Sequence, residues 1–92
     1  MKIVAQKRLD NCFESDFVFK YFFETCWTED GIKELEVFGH LRYYHSFPRP
    51  MFHIQCVDGT NIKGVQGTDE CRVLFARDNP CEAKKRFEEH FR

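Results

Sequence analysis

Apolar and polar residues alternate along two runs between Leu35 and Val57, on either side of the stretch 47–50, which contains two prolines. Alternation with a period of two around such a turn predicts a β-hairpin. A four-residue loop over 47–50 places Tyr44 opposite His53 and Arg42 opposite Gln55, and opposed residues share a face. The predicted apolar face comprises Val37, Leu41, Tyr43, Phe52, Ile54 and Cys56, and the predicted polar face comprises His40, Arg42, Tyr44, His53 and Gln55.

The segment 17–27 decides the fold class. As a helix it would be apolar on nearly every side, whereas as a strand it places its aromatic residues on one face and Lys20 and Glu24 on the other. Aromatic residues also favour strands. We therefore predict a strand over Phe17–Trp27.

A three-residue loop, residues 29–31, is predicted to join this strand to the hairpin. That length places Phe23 opposite Val37 and so continues one apolar face, and Gly31 stands where such loops need a positive φ. The alternative is a short helix from Thr28, as N-cap, to Gly39. Its apolar residues with helical spacing are Ile32, Leu35 and Phe38.

The remaining chain contains further strand and turn patterns. Residues 2–9 alternate loosely and predict a strand. The turn sequence 58–61 predicts a second hairpin leading to a weak strand over 62–66, in which Gly64 indicates a bulge or a close approach. The run 71–76 is apolar on both faces and predicts a central strand, or one covered on both sides.

The C-terminal segment predicts an amphipathic helix. Asn79 is the expected N-cap, Pro80 the first helical residue and Glu82 the partner in a capping box. The stripe that must dock on the sheet comprises Ala83, Phe87 and Phe91. The expected i,i+4 ion pairs are Lys84–Glu88, Lys85–Glu89 and Glu82–Arg86.

Together these elements predict one α+β domain over residues 1–92. We expect an antiparallel, curled or barrel-like sheet of five to six strands with one C-terminal helix packed on it. This order of strands followed by a terminal helix resembles small helix-capped barrels such as pleckstrin-homology-like modules. The resemblance is one of architecture and implies no function.

Composition limits the classes of partner. The chain has 92 residues, 32% of them charged, and a net charge of −1. Acids and bases are mixed along its length, which argues against bulk electrostatic binding of nucleic acid. No apolar run reaches the ~20 residues of a membrane span, and the N-terminus does not read as a signal peptide. We therefore expect a cytoplasmic protein with reduced thiols, without membrane contact and with nucleic acid an improbable partner.

Candidate chemistry in the sequence is sparse. No cysteine has a ligand-like spacing to a histidine, so neither a metal nor a cofactor is expected. Cys81 is the best candidate nucleophile because it stands at a helix N-terminus, but Asp78 and Glu82 beside it oppose formation of a thiolate. Cys56 and Cys71 are interpreted as small core residues. We therefore expect a protein without enzymatic activity.

The polar face of the predicted hairpin is the remaining candidate site. It carries donors and stacking surfaces of the kinds enriched at binding hot spots. The predicted partner-binding residues are Arg42, Tyr44, His53, Gln55 and, at the loop tip, Arg49. The sequence thus predicts a small binding or interaction module for an unidentified protein or small ligand, with a homodimer as one arrangement. The alternatives are a thiol-redox or metal-binding protein and a module that binds single-stranded nucleic acid.

Overall fold

The computed structural model describes residues 1–9, 18–44, 48–76 and 78–91. Within them six antiparallel strands form one sheet, and two α-helices pack on it. The elements are β1 Ile3–Leu9, β2 Val18–Phe23, α1 Glu29–Glu34, β3 Gly39–Tyr44, β4 Met51–Cys56, β5 Asn61–Val65, β6 Glu70–Leu74 and α2 Pro80–His90. A 3₁₀ helix, Leu35–Val37, links α1 to β3. The predicted α+β class is confirmed.

The strand order is β1-β2-β6-β5-β4-β3. Strands β3 to β6 form a meander, and β6 then pairs with β2, so the predicted central position of this strand is confirmed. Strands β1 and β3 are the two edges of an open sheet. The predicted antiparallel sheet of five to six strands with a C-terminal helix packed on it is confirmed, and the sheet is not closed into a barrel, because these edge strands do not pair with each other.

The connection from β2 to β3 also differs from the prediction. It is helical, as in the alternative, and not a three-residue loop. Thr28 is the N-cap, and its Oγ1 accepts a hydrogen bond from the Gly31 amide at 3.1 Å. Ile32 and Leu35 become fully buried. Capping and burial together outweigh the cost of about 1 kcal/mol for a glycine in a helix.

This helical connection changes the partners of β2. The strand pairs with β1 and β6, so the predicted pairing of Phe23 with Val37 is wrong, and Val37 is 73% exposed. The strand itself is confirmed over Val18–Phe23, with Tyr21 and Phe23 buried and Lys20 on the opposite face. Phe17 lies outside the described residues.

The predicted β3–β4 hairpin is confirmed, but its register is two residues away from the prediction. Tyr44 pairs with Met51 and Arg42 with His53. The Pro50 carbonyl accepts a hydrogen bond from the Gln66 amide at 2.9 Å, so Pro50 is held against the end of β5. A shift of two residues preserves which face each side chain occupies. The division of the hairpin into two faces therefore holds for the residues within the strands, while 45–47 lie outside the described residues.

One face of the sheet, which we call the inner face, carries the hydrophobic core. Strands β2, β6, β5 and β4 contribute side chains that alternate with exposed ones, and the two helices cover them. The fully buried inner-face residues include Tyr21, Phe52, Ile54, Ile62 and Val73. The other face, the outer face, therefore holds the polar half of each strand.

Helix α2 packs on the inner face through the predicted stripe. Phe87 lies 4.8 Å from Tyr21 and Phe91 lies 5.0 Å from Phe23, measured between ring centroids. The Tyr21 hydroxyl donates a hydrogen bond to Glu88 at 2.8 Å. The helix starts at Pro80 as predicted, although the Asn79 side chain makes no capping hydrogen bond.

Ion pairs on α2 follow the prediction in part. Lys84 pairs with Glu88 as expected. Arg86 reaches Asp58 in the β4–β5 turn at 2.6 Å instead of Glu82. The Arg86–Asp58 pair therefore ties helix α2 to the β4–β5 turn, whereas the Lys84–Glu88 pair lies within the helix.

Gly64 marks a close approach within the sheet. A Cβ at this position would lie 2.5 Å from the Phe52 ring, which packs over the paired glycine. The close approach expected from the sequence is confirmed, and it explains how a large ring fits inside a continuous sheet.

Candidate binding face

The outer face has a regular arrangement of side chains because all five strand pairs are antiparallel and, apart from one register shift between Ile3 and Ala5 in β1, pair without interruption. Lys7 pairs with Lys20, and Lys20 pairs with Arg72. Arg72 pairs with Lys63, and Lys63 pairs with His53. The chain of pairs ends at the opposite edge, where His53 meets Arg42.

These six residues form a continuous row, which we call the basic row. It takes one side chain from every strand, in the spatial order Lys7, Lys20, Arg72, Lys63, His53 and Arg42. With adjacent strands ~4.8 Å apart, the row extends roughly 24 Å across the sheet. Like charges directly opposite one another destabilise a sheet. The arrangement therefore costs stability, which suggests that it serves a purpose other than folding.

Acidic residues are nearly absent from the strands. Glu70 is the one acidic residue within the six strands, and it pairs with Lys20 at 3.1 Å. Among the described residues, Lys20 is also the one member of the basic row with a carboxylate within 4 Å. The other described acids lie on the helices and in the connections. A net charge of −1 thus conceals a strongly cationic outer face.

The row next to the basic row is mainly apolar, and we call it the apolar row. Pairing aligns Tyr44 with Met51 and Met51 with Val65. On the far side of Glu70 the same row continues through Phe22 to Ala5. Tyr44 is 42% exposed and Met51 is 39% exposed. A polymer lying along the basic row would therefore meet a ring and a thioether beside it.

On the other side of the basic row, amide and imidazole groups stand on β3, β4 and β5, and Leu74 and Val18 continue that row on β6 and β2. His40 pairs with Gln55, and Gln55 pairs with Asn61. The Nε2 atom of His53 lies 2.8 Å from Oδ1 of Asn61, so a hydrogen bond orients this imidazole within the basic row. Amides can both donate and accept hydrogen bonds. They add hydrogen-bonding capacity along a face that otherwise offers charge and apolar surface.

The residues predicted to bind a partner lie mostly on this face. The structure brings Arg42, Tyr44, His53 and Gln55 to the outer face, on neighbouring strands. Arg49 is exposed in the β3–β4 connection, outside the strands. Four of the five predicted residues are therefore placed together, in a register different from the predicted one.

Sequence reasoning missed the central part of the face. Lys7, Lys20 and Arg72 come from strands whose observed partners were not predicted, and Lys63 comes from β5, whose hairpin with β4 was predicted without a register. A signal was present, since Arg72 lies between two buried residues of β6 and Lys63 follows the buried Ile62 on β5. What the sequence could not supply was the order in which the strands stand.

The described cysteines are all unpaired. Burial raises the pKa of the Cys56 thiol to about 11, and Asp58 contributes. Burial likewise raises the pKa of the Cys71 thiol, with a smaller contribution from Glu70. Both thiols are therefore held protonated, which fits the interpretation of these residues as core components. Cys81 is exposed at the start of α2.

A cleft of about 520 Å³ lies between α2 and the β4–β5 turn. It is lined mainly by apolar side chains, including Phe38, Val57 and Phe87, with Cys56 on one wall. The charged groups Arg86 and Asp58 at this cleft pair with each other. They therefore neutralise each other, and the thiol beside them is held protonated.

The raised pKa values predict a loss of stability at alkaline pH. A thiol or phenol with a raised pKa in the folded protein is deprotonated first in the unfolded chain, so the unfolded chain binds fewer protons and unfolding becomes easier as pH rises. Deprotonation of Cys56 and Cys71 in the unfolded chain lowers the free energy of unfolding from about pH 9 upward. Tyr21, whose pKa is raised by burial and by Glu88, lowers it in the same way from about pH 10. Each group contributes at most ~1.4 kcal/mol per pH unit.

Urea denaturation at pH 7.5, 9, 10 and 11 checks this expectation. The free energy of unfolding should be nearly constant up to pH 8.5 and should then fall. The variant Cys71→Ala should show a shallower fall than the wild type over pH 9–11, whatever its stability at pH 7.5. If the free energy of unfolding falls equally steeply with pH in both proteins, the buried Cys71 thiol is not a source of the alkaline loss of stability.

No three His, Cys, Asp or Glu side chains converge on one point within the described ranges, as a metal ion would require. In the same part of the chain no helix is both long and apolar enough to cross a membrane.

Comparisons with known proteins give no relative for this chain. No family model matches it, and no curated protein and no solved structure matches it either. The function is therefore argued from the outer face alone.

Proposed function

We propose that this protein is a non-enzymatic binding module whose outer face contacts an extended anionic partner. The observation that carries the proposal is the basic row, in which one basic side chain from each of six strands is aligned across the sheet. An arrangement that juxtaposes like charges at the expense of stability is accounted for when a partner neutralises them.

The length of the basic row favours an extended partner over a single anion. A row of roughly 24 Å exceeds the reach of one phosphate or carboxylate group. Lys63, Arg72 and Arg42 are exposed, so their charges are accessible to a partner.

Two open sheet edges, β1 and β3, also make a homodimer an expected arrangement of the same module. The unpaired thiols are consistent with the expected cytoplasmic location.

Removal of one charge from the basic row tests the proposal. With a heparin dodecasaccharide as a generic polyanion, Lys63→Gln should weaken binding about fivefold at low salt, the scale of ~1 kcal/mol for one lysine near an anionic surface. The same variant should be as stable as the wild type or slightly more stable, because it relieves repulsion from Arg72. Anisotropy titrations and thermal unfolding measure the two effects.

Lys85→Gln is the matched control. It makes the same change of charge and length on the exposed part of α2, whereas Lys63 lies on the outer face. Its effect on heparin binding should be less than twofold. If Lys63→Gln and Lys85→Gln lose heparin affinity equally, binding depends only on the net charge of the chain and the proposal is overturned. Light scattering at the same concentrations reports whether the chain is a monomer or a dimer.

A further inference from the structure

We infer that the extended anionic partner is single-stranded nucleic acid, which lies along the basic row with its bases over the apolar row. This inference rests on the proposed function and adds the chemical class of the partner. It requires two features of a polymer at once, a regularly charged backbone and flat apolar groups beside it. The outer face matches both features, because the basic row would contact the charged backbone and the adjacent apolar row would contact the flat groups.

The first argument is the geometry of the two rows. In every strand except β6 the residue two positions from the basic row, on the apolar-row side, is uncharged and apolar: Ala5, Phe22, Val65, Met51 and Tyr44. Residues two apart on a strand lie on the same face, ~6.6 Å apart along it. Backbone charges on one row would therefore leave attached groups over the other.

The second argument is the chemistry of the apolar row. Tyr44, Met51 and the half-buried Phe22 present rings and a polarisable sulfur toward the solvent side of the sheet. Bases of single strands stack on such side chains in sequence-tolerant recognition, together with a positively charged track for the backbone. The amino group of Lys20 already lies 5.6 Å from the centroid of the Phe22 ring, so cation and ring are adjacent.

The alternative anionic partners use only half of this surface. An acidic peptide would pair with the basic row but has no planar groups that require the apolar row. A duplex would present its phosphates but keep its bases stacked inside. The exposed side chains of Gln55 and His40 on the other side of the basic row add donors and acceptors suited to exposed base edges. Net charge, which argued against nucleic acid, is uninformative for a chain with segregated charges.

The test compares four fluorescein-labelled probes at equal ionic strength. They are the 12-mers of oligo(dT) and oligo(rU), the oligo(dT)·oligo(dA) duplex and a peptide of twelve glutamates. We expect one or both single strands to bind at least tenfold more tightly than the duplex and the peptide. The two single strands separate DNA from RNA as the source of the ligand.

Tyr44 supplies the decisive variant. Tyr44→Ala should weaken single-strand binding about five- to 150-fold, which corresponds to the ~1–3 kcal/mol measured for loss of one stacked base. It should weaken heparin binding much less than single-strand binding, because heparin carries no bases to stack on the ring and the charge of the face is unchanged. Tyr44→Phe keeps the ring and should restore single-strand binding to within twofold of wild type.

Lys63→Gln should lower the slope of log K against log salt by about 0.7, as expected for one phosphate contact with a single strand.

The outcomes separate the two proposals. This inference is overturned if the glutamate peptide or the duplex binds as tightly as the single strands, or if Tyr44→Ala has no effect on single-strand binding. In that case the proposed function still stands, provided that heparin binding depends on Lys63. If Tyr44→Ala weakens heparin and single strands alike, stacking is not the cause and the inference fails. If no probe, heparin included, binds at low salt, both proposals fall.

Discussion

Gly39→Ala is expected to destabilise the protein by about 3 kcal/mol, at the upper end of what overpacking costs. Gly39 opens β3 and pairs with Cys56 on β4. A Cβ there would lie 2.6 Å from the Cys56 Cα and would also collide with the main-chain carbonyl oxygen of Gln55. Because the obstacles are backbone atoms, no side chain can move aside. The edge strand β3 would have to separate locally from β4.

Gly31→Ala is the control for this prediction. Gly31 lies in α1, and the nearest atom to an added Cβ is Thr28 Oγ1 at 3.4 Å, an ordinary contact. Alanine has the higher helix propensity, so this variant should be stabilised by up to ~1 kcal/mol. Urea denaturation followed by far-ultraviolet circular dichroism measures both. Midpoints that shift in the same direction for the two variants would refute the packing argument at Gly39.

Trp27→Ala is expected to cost about 4 kcal/mol, within the range for removing a large buried aromatic side chain. Trp27 is 2% exposed, and its ring lies between Phe23 and Phe52 at 5.1 Å from each. Its Nε1 donates a hydrogen bond to the main-chain carbonyl oxygen of Glu70 at 3.0 Å. The substitution therefore leaves both a cavity and a carbonyl without this partner, at the place where the chain leaves β2 for α1.

Val57→Ala provides the contrast, since Val57 is apolar but 93% exposed and its truncation should change stability by less than ~0.5 kcal/mol. Trp27→Phe should fall between the two, because it keeps a ring but loses the hydrogen bond. The chain has one tryptophan, so the emission of Trp27 in the wild type also reports its burial directly. A cost below 1 kcal/mol for Trp27→Ala would show that this ring does not anchor the core.

Local patterns predicted the elements and the sidedness of the strands well. The hairpin illustrates why, since Tyr44 and His53 share a face both in the predicted register and in the observed one. Alternation has a period of two, so an error of two residues leaves every face unchanged. Helix α2 was equally accessible, because Pro80 and the stripe through Phe87 are features of adjacent sequence.

Non-local pairing was not predictable in the same way. The neighbour of Lys20 is Arg72, a residue far away along the chain, and no local pattern indicates which strands meet. The helix after Thr28 was only the alternative prediction, because a glycine in the first turn disfavours a helix and the burial of Ile32 and Leu35 is visible only in the fold. Both errors have one origin: tertiary contacts decided the outcome, and the sequence displays them only indirectly.

The same dependence explains why the candidate site was seen in part. Arg42 and Tyr44 belong to a hairpin that the sequence reveals, and they were identified. The basic row became visible only when six strands were placed in order, and the average charge of the chain gave no hint of it.

The outer face takes side chains from every strand of the sheet, so no continuous stretch of the sequence contains it. No peptide excised from this chain could reproduce it, and slippage of a single strand by one position would turn that strand's cation toward the core. The proposed binding would therefore require the whole sheet to be folded, and ligand affinity would be a sensitive gauge of whether each strand has found its correct alignment. Unfolding of an edge strand would weaken the proposed binding while the hydrophobic core stayed intact.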